Sequence, residues 1–390
     1  MMEQLYHTSR LLVNSVDTSF VRYLYDRIKW NGRMLGVVGP RGVGKTTMLL
    51  QHIKMCLPIE YTLYASADNL YFVDHSLVDL ASAFVKQGGK FLIIDEVHKY
   101  QGWSLELKQI YDTLPDLQLI FTGSSILDIY KGVSDLSRRA PIYEMQGLSF
   151  REYLHLFHNI QVPVYSLAEI LNHTAEIPGV AHPLPLFADY LRKGYYPFGR
   201  DEDYERELEQ VINQTMEVDI PQYAMMNVST GRKLKQLLVV ISKSVPFKPV
   251  MTKLAALIGV SRNQLGDYLL YMERAGMIAQ LRDETGGIRG LGKVEKVYID
   301  NTNLAYVLGN QATDIGNLRE TFFFNQMRVN HDVLSSEKSD FIIDGRTFEV
   351  GGRNKGQKQI ADATDGFVVK DDIEVGYLNV VPLWNFGLNY

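Results

Sequence analysis

The sequence predicts an α/β protein whose N-terminal part is built on a parallel sheet. Three short apolar runs carry this prediction, at Met34–Val38, Phe91–Ile94 and Leu117–Thr122, and a helical pattern at Lys45–Met55 follows the first of them. Short apolar runs bounded by glycine or acidic residues are typical of strands that are buried on both faces. Strands that alternate with helices favour a parallel sheet.

Helix signals lie on both sides of this region. Residues 17–30 have apolar side chains at helical spacing, with Asp17 or Thr18 as the N-cap, so we expect a helix before the first strand. Near residue 150 a helix-rich stretch begins, where Ser149 is a predicted N-cap and Glu152 completes a capping box.

Composition limits the class of protein. The chain has 390 residues, enough for two or three domains, and a formal net charge of −5, so any nucleic-acid surface must be local. Its one cysteine, Cys56, excludes an internal disulfide, and we find no signal peptide, so we expect a cytoplasmic protein. The apolar runs are too short for a membrane span, so no membrane partner is expected.

A phosphate-binding loop follows the first predicted strand. Residues 39–46 fit the pattern G-x-x-x-x-G-K-[ST] and open a predicted helix. In such a loop glycines let backbone N–H groups approach phosphates, the lysine contacts the β- and γ-phosphates, and the hydroxyl binds Mg²⁺. We therefore predict that ATP is bound by Gly39, Pro40, Arg41, Gly42, Val43, Gly44, Lys45, Thr46 and Thr47.

The second predicted strand ends in two acids that complete this site. Asp95 is placed beside Mg²⁺ together with Thr46, and Glu96 is the predicted catalytic base that polarises the attacking water. A buried strand that ends in two acids by chance is the alternative. The motif about fifty residues upstream makes this alternative the weaker one.

Two further catalytic positions follow the third predicted strand. A polar side chain there is expected to contact the γ-phosphate; Ser124 is the first choice and Thr122 the second, with an ordinary turn as the alternative. Arg138 and Arg139 are candidate arginine fingers, for this chain or a neighbouring copy, and a solvated pair of arginines is the alternative.

The middle of the chain predicts a winged-helix module. Between Ile220 and Gly266 there are seven basic residues and no Asp or Glu. Two short helices separated by Gly259 and followed by a strand match a helix-turn-helix. Its second helix begins with Arg262, Asn263 and Gln264, which suit contacts with DNA, although many such modules only pack against protein.

The C-terminal part contains a predicted hairpin with an acid pair. A two-residue turn at Asp344–Gly345 pairs Phe341 with Phe348 and sets Asp340 opposite Glu349, which suits one divalent metal. The arrangement resembles the Asp…Glu-x-Lys pattern of restriction-endonuclease-like domains. The lysine position is Gly351 here, so nuclease activity is not expected unless Arg353 or Lys355 supplies the cation from the loop.

The order of the motifs resembles a known family. GPRGVGKTT, DEVHKY, TGSS, LSRRA and LSFREYL occur in that order. This set and order of motifs is similar to that of prokaryotic AAA+-like ATPases that carry a C-terminal nuclease-fold domain of unknown function. The resemblance implies an arginine at the position of Arg138 and Arg139, and ATP chemistry rather than a substrate. The predicted domains are an ATPase core at 1–150, a helical linker at 151–230, a winged helix at 231–300 and a restriction-endonuclease-like domain at 301–390.

The sequence therefore predicts an ATPase that hydrolyses ATP with Mg²⁺ and couples it to binding of DNA or of a protein partner. The alternatives are a nucleotide-dependent protein switch with slow hydrolysis and an ATP-gated nuclease. A homo-oligomer is compatible with arginines supplied by a neighbouring copy.

Overall fold

The computed structural model describes residues 2–123, 136, 138–224, 226–243, 250–284, 292–309, 315–360 and 365–390. Ser124, the residue predicted to contact the γ-phosphate, lies outside these residues. The chain divides into two compact units, Met1–Gln146 and Gly147–Tyr390.

A parallel five-stranded sheet forms the first unit. Its strand order is β2-β3-β4-β1-β5, and every neighbouring pair is parallel. The strands are β1 Met34–Val38, β2 Thr62–Ser66, β3 Phe91–Asp95, β4 Gln118–Gly123 and β5 Ile142–Glu144. The predicted α/β class and the three predicted strands are confirmed, whereas β2 and β5 were not predicted.

The first unit also contains helices within the residues that the structure describes. They are α1 Met2–Ser15, α2 Lys45–Cys56, α3 Leu77–Lys86 and α4 Trp103–Thr113. Leu5 of α1, Phe84 of α3 and Leu107 of α4 lie in one apolar core with the buried strand residues. Because β1 leads directly into the loop before α2, the sheet fixes where that loop begins.

The predicted helix at residues 17–30 is wrong. Only one short helical turn, Tyr25–Arg27, forms in this segment. Two backbone carbonyls of residues 17–30 accept hydrogen bonds from a side chain outside the segment. The side-chain amide of Gln51, on α2, donates to the carbonyls of Asp17 and Phe20. The carboxylate of Asp17 does accept hydrogen bonds from Ser19, so the capping interaction forms without a helix after it.

The second unit contains a seven-stranded mixed sheet in the order β12-β11-β10-β9-β8-β6-β7. The strands are β6 Ile278–Arg282, β7 Val294–Ile299, β8 Val333–Ser335, β9 Phe341–Ile343, β10 Arg346–Gly351, β11 Gly366–Lys370 and β12 Val380–Pro382. The sheet runs through both the predicted middle and C-terminal modules. Those modules remain a prediction.

The helices of the second unit include the one predicted to start after Ser149. Its capping box with Glu152 is confirmed. The helices are α5 Phe150–His158, α6 Leu167–Leu171, α7 Leu184–Asp189, α8 Tyr204–Gln214, α9 Ile220–Tyr223, α10 Val228–Ser242, α11 Met251–Ile258, α12 Arg262–Arg274, α13 Thr302–Gly309 and α14 Ile315–Met327. Within the described ranges, no helix is long and apolar enough to cross a lipid bilayer.

The predicted hairpin of the C-terminal part is confirmed. Asp344 and Gly345 have φ values of 51° and 76°, as a two-residue turn of this type requires. The strands pair Ile343 with Arg346 and Phe341 with Phe348. The dipeptide therefore fixes the register of β9 against β10, as the sequence predicts.

Candidate active site

The phosphate-binding loop joins β1 to α2 at the carboxyl edge of the parallel sheet. Gly44 precedes α2 in the left-handed region, with φ 97°, so the loop turns sharply into the helix. Gly39 lies against the backbone after β5, because a Cβ built on it would be 2.2 Å from the carbonyl oxygen of Met145. These two glycines let the loop pass close to neighbouring backbone and set the N-terminus of α2.

Lys45, the first residue of α2, is folded back over its own loop. It is 6% exposed, and its Nζ donates to the carbonyl oxygens of Gly39 at 2.9 Å and Pro40 at 2.7 Å. Burial lowers the pKa of Lys45 to about 8, against the opposing effect of the Asp95 and Glu96 carboxylates. Among the described residues, the acceptors bonded to this ammonium are two neutral carbonyls of the loop.

Asp95, the last residue of β3, is the centre of a hydrogen-bond network. Its carboxylate is 3% exposed and accepts hydrogen bonds from the hydroxyls of Thr46 at 2.7 Å, Tyr64 at 2.7 Å and Thr122. Thr46 belongs to the loop motif and Asp95 to the acid pair, so the structure brings the two predicted metal ligands together. The donors also fix the orientation of the carboxylate.

Glu96 follows in an uncommon backbone conformation. Its φ of 51° is in the left-handed region, which non-glycine residues rarely occupy. Its N–H donates to the hydroxyl oxygen of Thr122 at 3.2 Å and to Asp95 Oδ1 at 3.1 Å, so neighbours hold this conformation. The chain therefore changes direction directly after β3. The Glu96 side chain is partly exposed at the edge of the sheet.

The other predicted catalytic residues are placed differently. Thr122 is fully buried and engaged with Asp95. Arg139 makes two hydrogen bonds of 3.0 Å with the carboxylate of Asp112 on α4, and Arg138 is exposed. The roles of both arginines remain predictions.

Two residues that contact the site were missed from the sequence. Tyr64 lies on β2, a strand that the sequence did not predict. Arg22, 4% exposed, donates to the carbonyls of Val43 in the loop and of Gln146, the latter at 2.8 Å. No sequence signal identifies either residue, because each reaches the loop or Asp95 only through the tertiary fold.

The acid pair of the hairpin lies among lysines. Asp340 Oδ1 is 3.1 Å from Nζ of Lys296, and Glu349, which is 1% exposed, contacts the ammonium of Lys355. Burial raises the pKa of Glu349, while the ion pair with Lys355 opposes the rise. Within the described residues, no group of three or more His, Cys, Asp or Glu side chains is arranged to hold a metal ion.

Comparisons with family models give matches in both units. Residues 31–154 match the model described as an AAA domain, and residues 184–314 match a domain of unknown function, DUF8612. The first match covers β1, the phosphate-binding loop and the Asp95–Glu96 pair. It supports a P-loop, AAA-like ATPase fold for this part of the chain.

Comparisons with individual proteins give distant similarities. The chain is 26% identical over 400 residues to an uncharacterized protein of Methanocaldococcus jannaschii, covering 90% of this chain and 83% of that protein. The Walker-type ATPase of Pyrococcus abyssi is 13% identical, with a TM-score of 0.45, covering 76% of this chain and 99% of the other. PCH-2 of C. elegans is 14% identical, with a TM-score of 0.26, covering 70% and 67%.

Proposed function

We propose that this protein binds ATP with Mg²⁺ and hydrolyses it. The observation that carries the proposal is the meeting of three elements at one sheet edge. The loop lysine Lys45, the Thr46–Asp95 hydrogen bond and Glu96 all lie where β1 and β3 end. Convergence of a phosphate-binding loop and acids at the carboxyl end of parallel strands is an arrangement that P-loop enzymes use for phosphoryl transfer.

Each residue has a distinct task in this proposal. Lys45 exchanges its two loop carbonyls for phosphate oxygens, which are stronger acceptors because they are charged. Backbone N–H groups of the loop and the N-terminus of α2 bind the same phosphates. Glu96 orients a water and accepts its proton, as the water oxygen attacks the γ-phosphorus and the bond to the β-phosphate oxygen breaks, leaving ADP and phosphate.

The residues present fit Mg²⁺. A threonine hydroxyl and a buried carboxylate are hard oxygen ligands, the class that Mg²⁺ prefers, and they are already 2.7 Å apart. Thr46 and Asp95 would hold the ion, which would neutralise charge on the phosphates. Tyr64 and Thr122 keep the Asp95 carboxylate in a fixed orientation by donating to it.

Two substitutions test this proposal. Lys45→Ala should abolish nucleotide binding, and Glu96→Gln should bind ATP normally but lose turnover, because its proposed task is to orient water. ATP binding is measured with a fluorescent analogue and turnover by phosphate release. Lys86→Ala and Glu60→Gln, on exposed side chains of the same unit, are the matched controls. Turnover of Glu96→Gln at the wild-type rate would refute the assignment of the base.

A second proposal is that the ATPase is coupled to DNA through a winged-helix module. The supporting observation is a pair of exposed basic side chains, Lys253 on α11 and Arg262 at the start of α12. The helix pair, with Gly259 at φ 69° between its members, is followed by the antiparallel strands β6 and β7. This order of elements is typical of winged helices.

DNA binding is tested by titration at two salt concentrations. The double variant Lys253→Glu, Arg262→Glu should weaken binding, and binding should fall as salt rises. The matched control reverses two exposed lysines of the first unit, Lys86 and Lys99. Unaltered binding in the first double variant, or none in the wild type at low salt, would favour the alternative, a nucleotide-dependent switch that acts on a protein partner.

A further inference from the structure

The carboxylates of the C-terminal hairpin belong to a larger buried cluster. Glu320 of α14 lies beside Asp340, and Lys296 of β7 lies between them. Lys296 Nζ is 3.2 Å from Glu320 Oε2 and 3.1 Å from Asp340 Oδ1. The three side chains are only 13–15% exposed, so water screens these contacts weakly. One ammonium therefore bridges two acids from two different elements.

The remaining acid of the cluster has its own cation. The side chain of Lys355 runs across Gly351 and contacts Glu349, since a Cβ built on Gly351 would be 2.6 Å from Lys355 Cδ. Gly351 thus leaves the space that the aliphatic stem of Lys355 fills. The cluster holds three carboxylates and two ammonium groups.

Other groups of the second unit donate hydrogen bonds to carboxylate oxygens of the cluster. The hydroxyl of Tyr298 donates to Glu320 Oε2 at 2.7 Å, and the N–H of Val350 donates to Asp340 Oδ2 at 3.0 Å. Burial opposes a charged Lys296, but Glu320 and Asp340 together hold its pKa above the usual value. A divalent ion binds through several carboxylate oxygens at once, and Glu320 Oε2 and both oxygens of Asp340 already have ammonium, N–H or O–H partners. Glu349 Oε2 is buried and has no hydrogen-bond partner among the described residues.

We propose that Lys296 is a built-in cation that closes this acidic cluster to divalent metal ions. The ammonium contacts both carboxylates, and it supplies one positive charge against their two negative charges from within the chain. The cluster therefore works as a metal-free ion-pair network that joins β7 and α14 to the start of the hairpin. Removing the ammonium leaves two unbalanced buried acids, which a divalent ion would then neutralise.

The test counts Mn²⁺ bound to the full chain without nucleotide, from the electron paramagnetic resonance signal of the free ion. The wild type and Asp340→Asn should bind the same number of ions. Lys296→Met should bind one ion more, and the double variant Lys296→Met, Asp340→Asn should lose that ion. Any Mn²⁺ at the Asp95 site is common to all four proteins, so a failure of the ATPase proposal leaves these differences unchanged.

The controls separate the cluster from general charge effects. Lys338→Met removes an exposed lysine of the same unit and should bind as the wild type does. Lys296→Gln replaces Lys296→Met if the latter does not fold, as judged by circular dichroism. An ion bound by the wild type and lost in Asp340→Asn would overturn the proposal. A folded Lys296 variant that gains no ion would overturn it as well.

Discussion

The hydroxyl of Tyr64 offers a sharp test of how Asp95 is positioned. Tyr64 is 6% exposed, and its hydroxyl donates to Asp95 Oδ2, the oxygen that also accepts from Thr46. Tyr64→Phe removes one oxygen atom and keeps the ring in the same space. Asp95 then retains two of its three hydroxyl donors, Thr46 and Thr122.

Two magnitudes follow from this geometry. A hydrogen bond to a charged acceptor contributes about 1.5–3 kcal/mol to stability. Because two donors remain on Asp95, we expect the free energy of unfolding to fall by an amount near the lower limit, about 1.5 kcal/mol. Loss of a side chain that orients a metal ligand typically weakens metal affinity or activity by about 10–100-fold, so the Mg²⁺ concentration for half-maximal turnover should rise within that range.

The assay is ATP turnover as a function of Mg²⁺, with urea unfolding of the same samples. Tyr100→Phe is the matched control, because the Tyr100 hydroxyl donates to a carboxylate of the same unit, Glu106, at 2.8 Å. Tyr100→Phe should lose stability and keep the wild-type Mg²⁺ dependence. If Tyr64→Phe also kept that dependence, Tyr64 would be a structural residue and the positioning argument would be refuted.

Three further predictions concern the fold. Burial lowers the pKa of His52 to about 4, so between about pH 6.5 and pH 4 the unfolded chain binds a proton that the folded chain does not, and the free energy of unfolding should fall as the pH drops through this range. A His52→Asn variant that kept the same pH dependence of urea unfolding would contradict this. Gly345→Ala, at φ 76°, should lower the free energy of unfolding, measured in urea, by about 1–2 kcal/mol, whereas Gly356→Ala, where a Cβ would meet nothing within 4 Å, should leave it nearly unchanged. Equal effects of the two substitutions would refute the turn argument. Gly36→Ala should lower the free energy of unfolding by about 1–3 kcal/mol, because its Cβ would lie 2.7 Å from the Phe121 ring. An unchanged urea midpoint would show that the Phe121 ring moves aside without loss of stability.

Local signals were sufficient for the central strands, the phosphate-binding loop and the hairpin. The loop motif and the acids after β3 depend on residues adjacent in sequence, and a buried strand needs an apolar run whatever its neighbours are. The turn at Asp344–Gly345 fixes a register because only a few residue types adopt its backbone angles. These features were readable because each one is encoded within a few consecutive residues.

The sequence by itself determined which residues form the phosphate-binding-loop motif and the acid pair, whereas the tertiary structure decided what surrounds them. Residues 17–30 have helical spacing, yet Gln51 bonds the carbonyls of Asp17 and Phe20, and no continuous helix forms. Lys296 lies 44 positions from Asp340 along the chain and bonds to it. Hydrogen bonds and ion pairs between distant segments depend on how the elements pack, and periodicity along the chain contains no record of that packing.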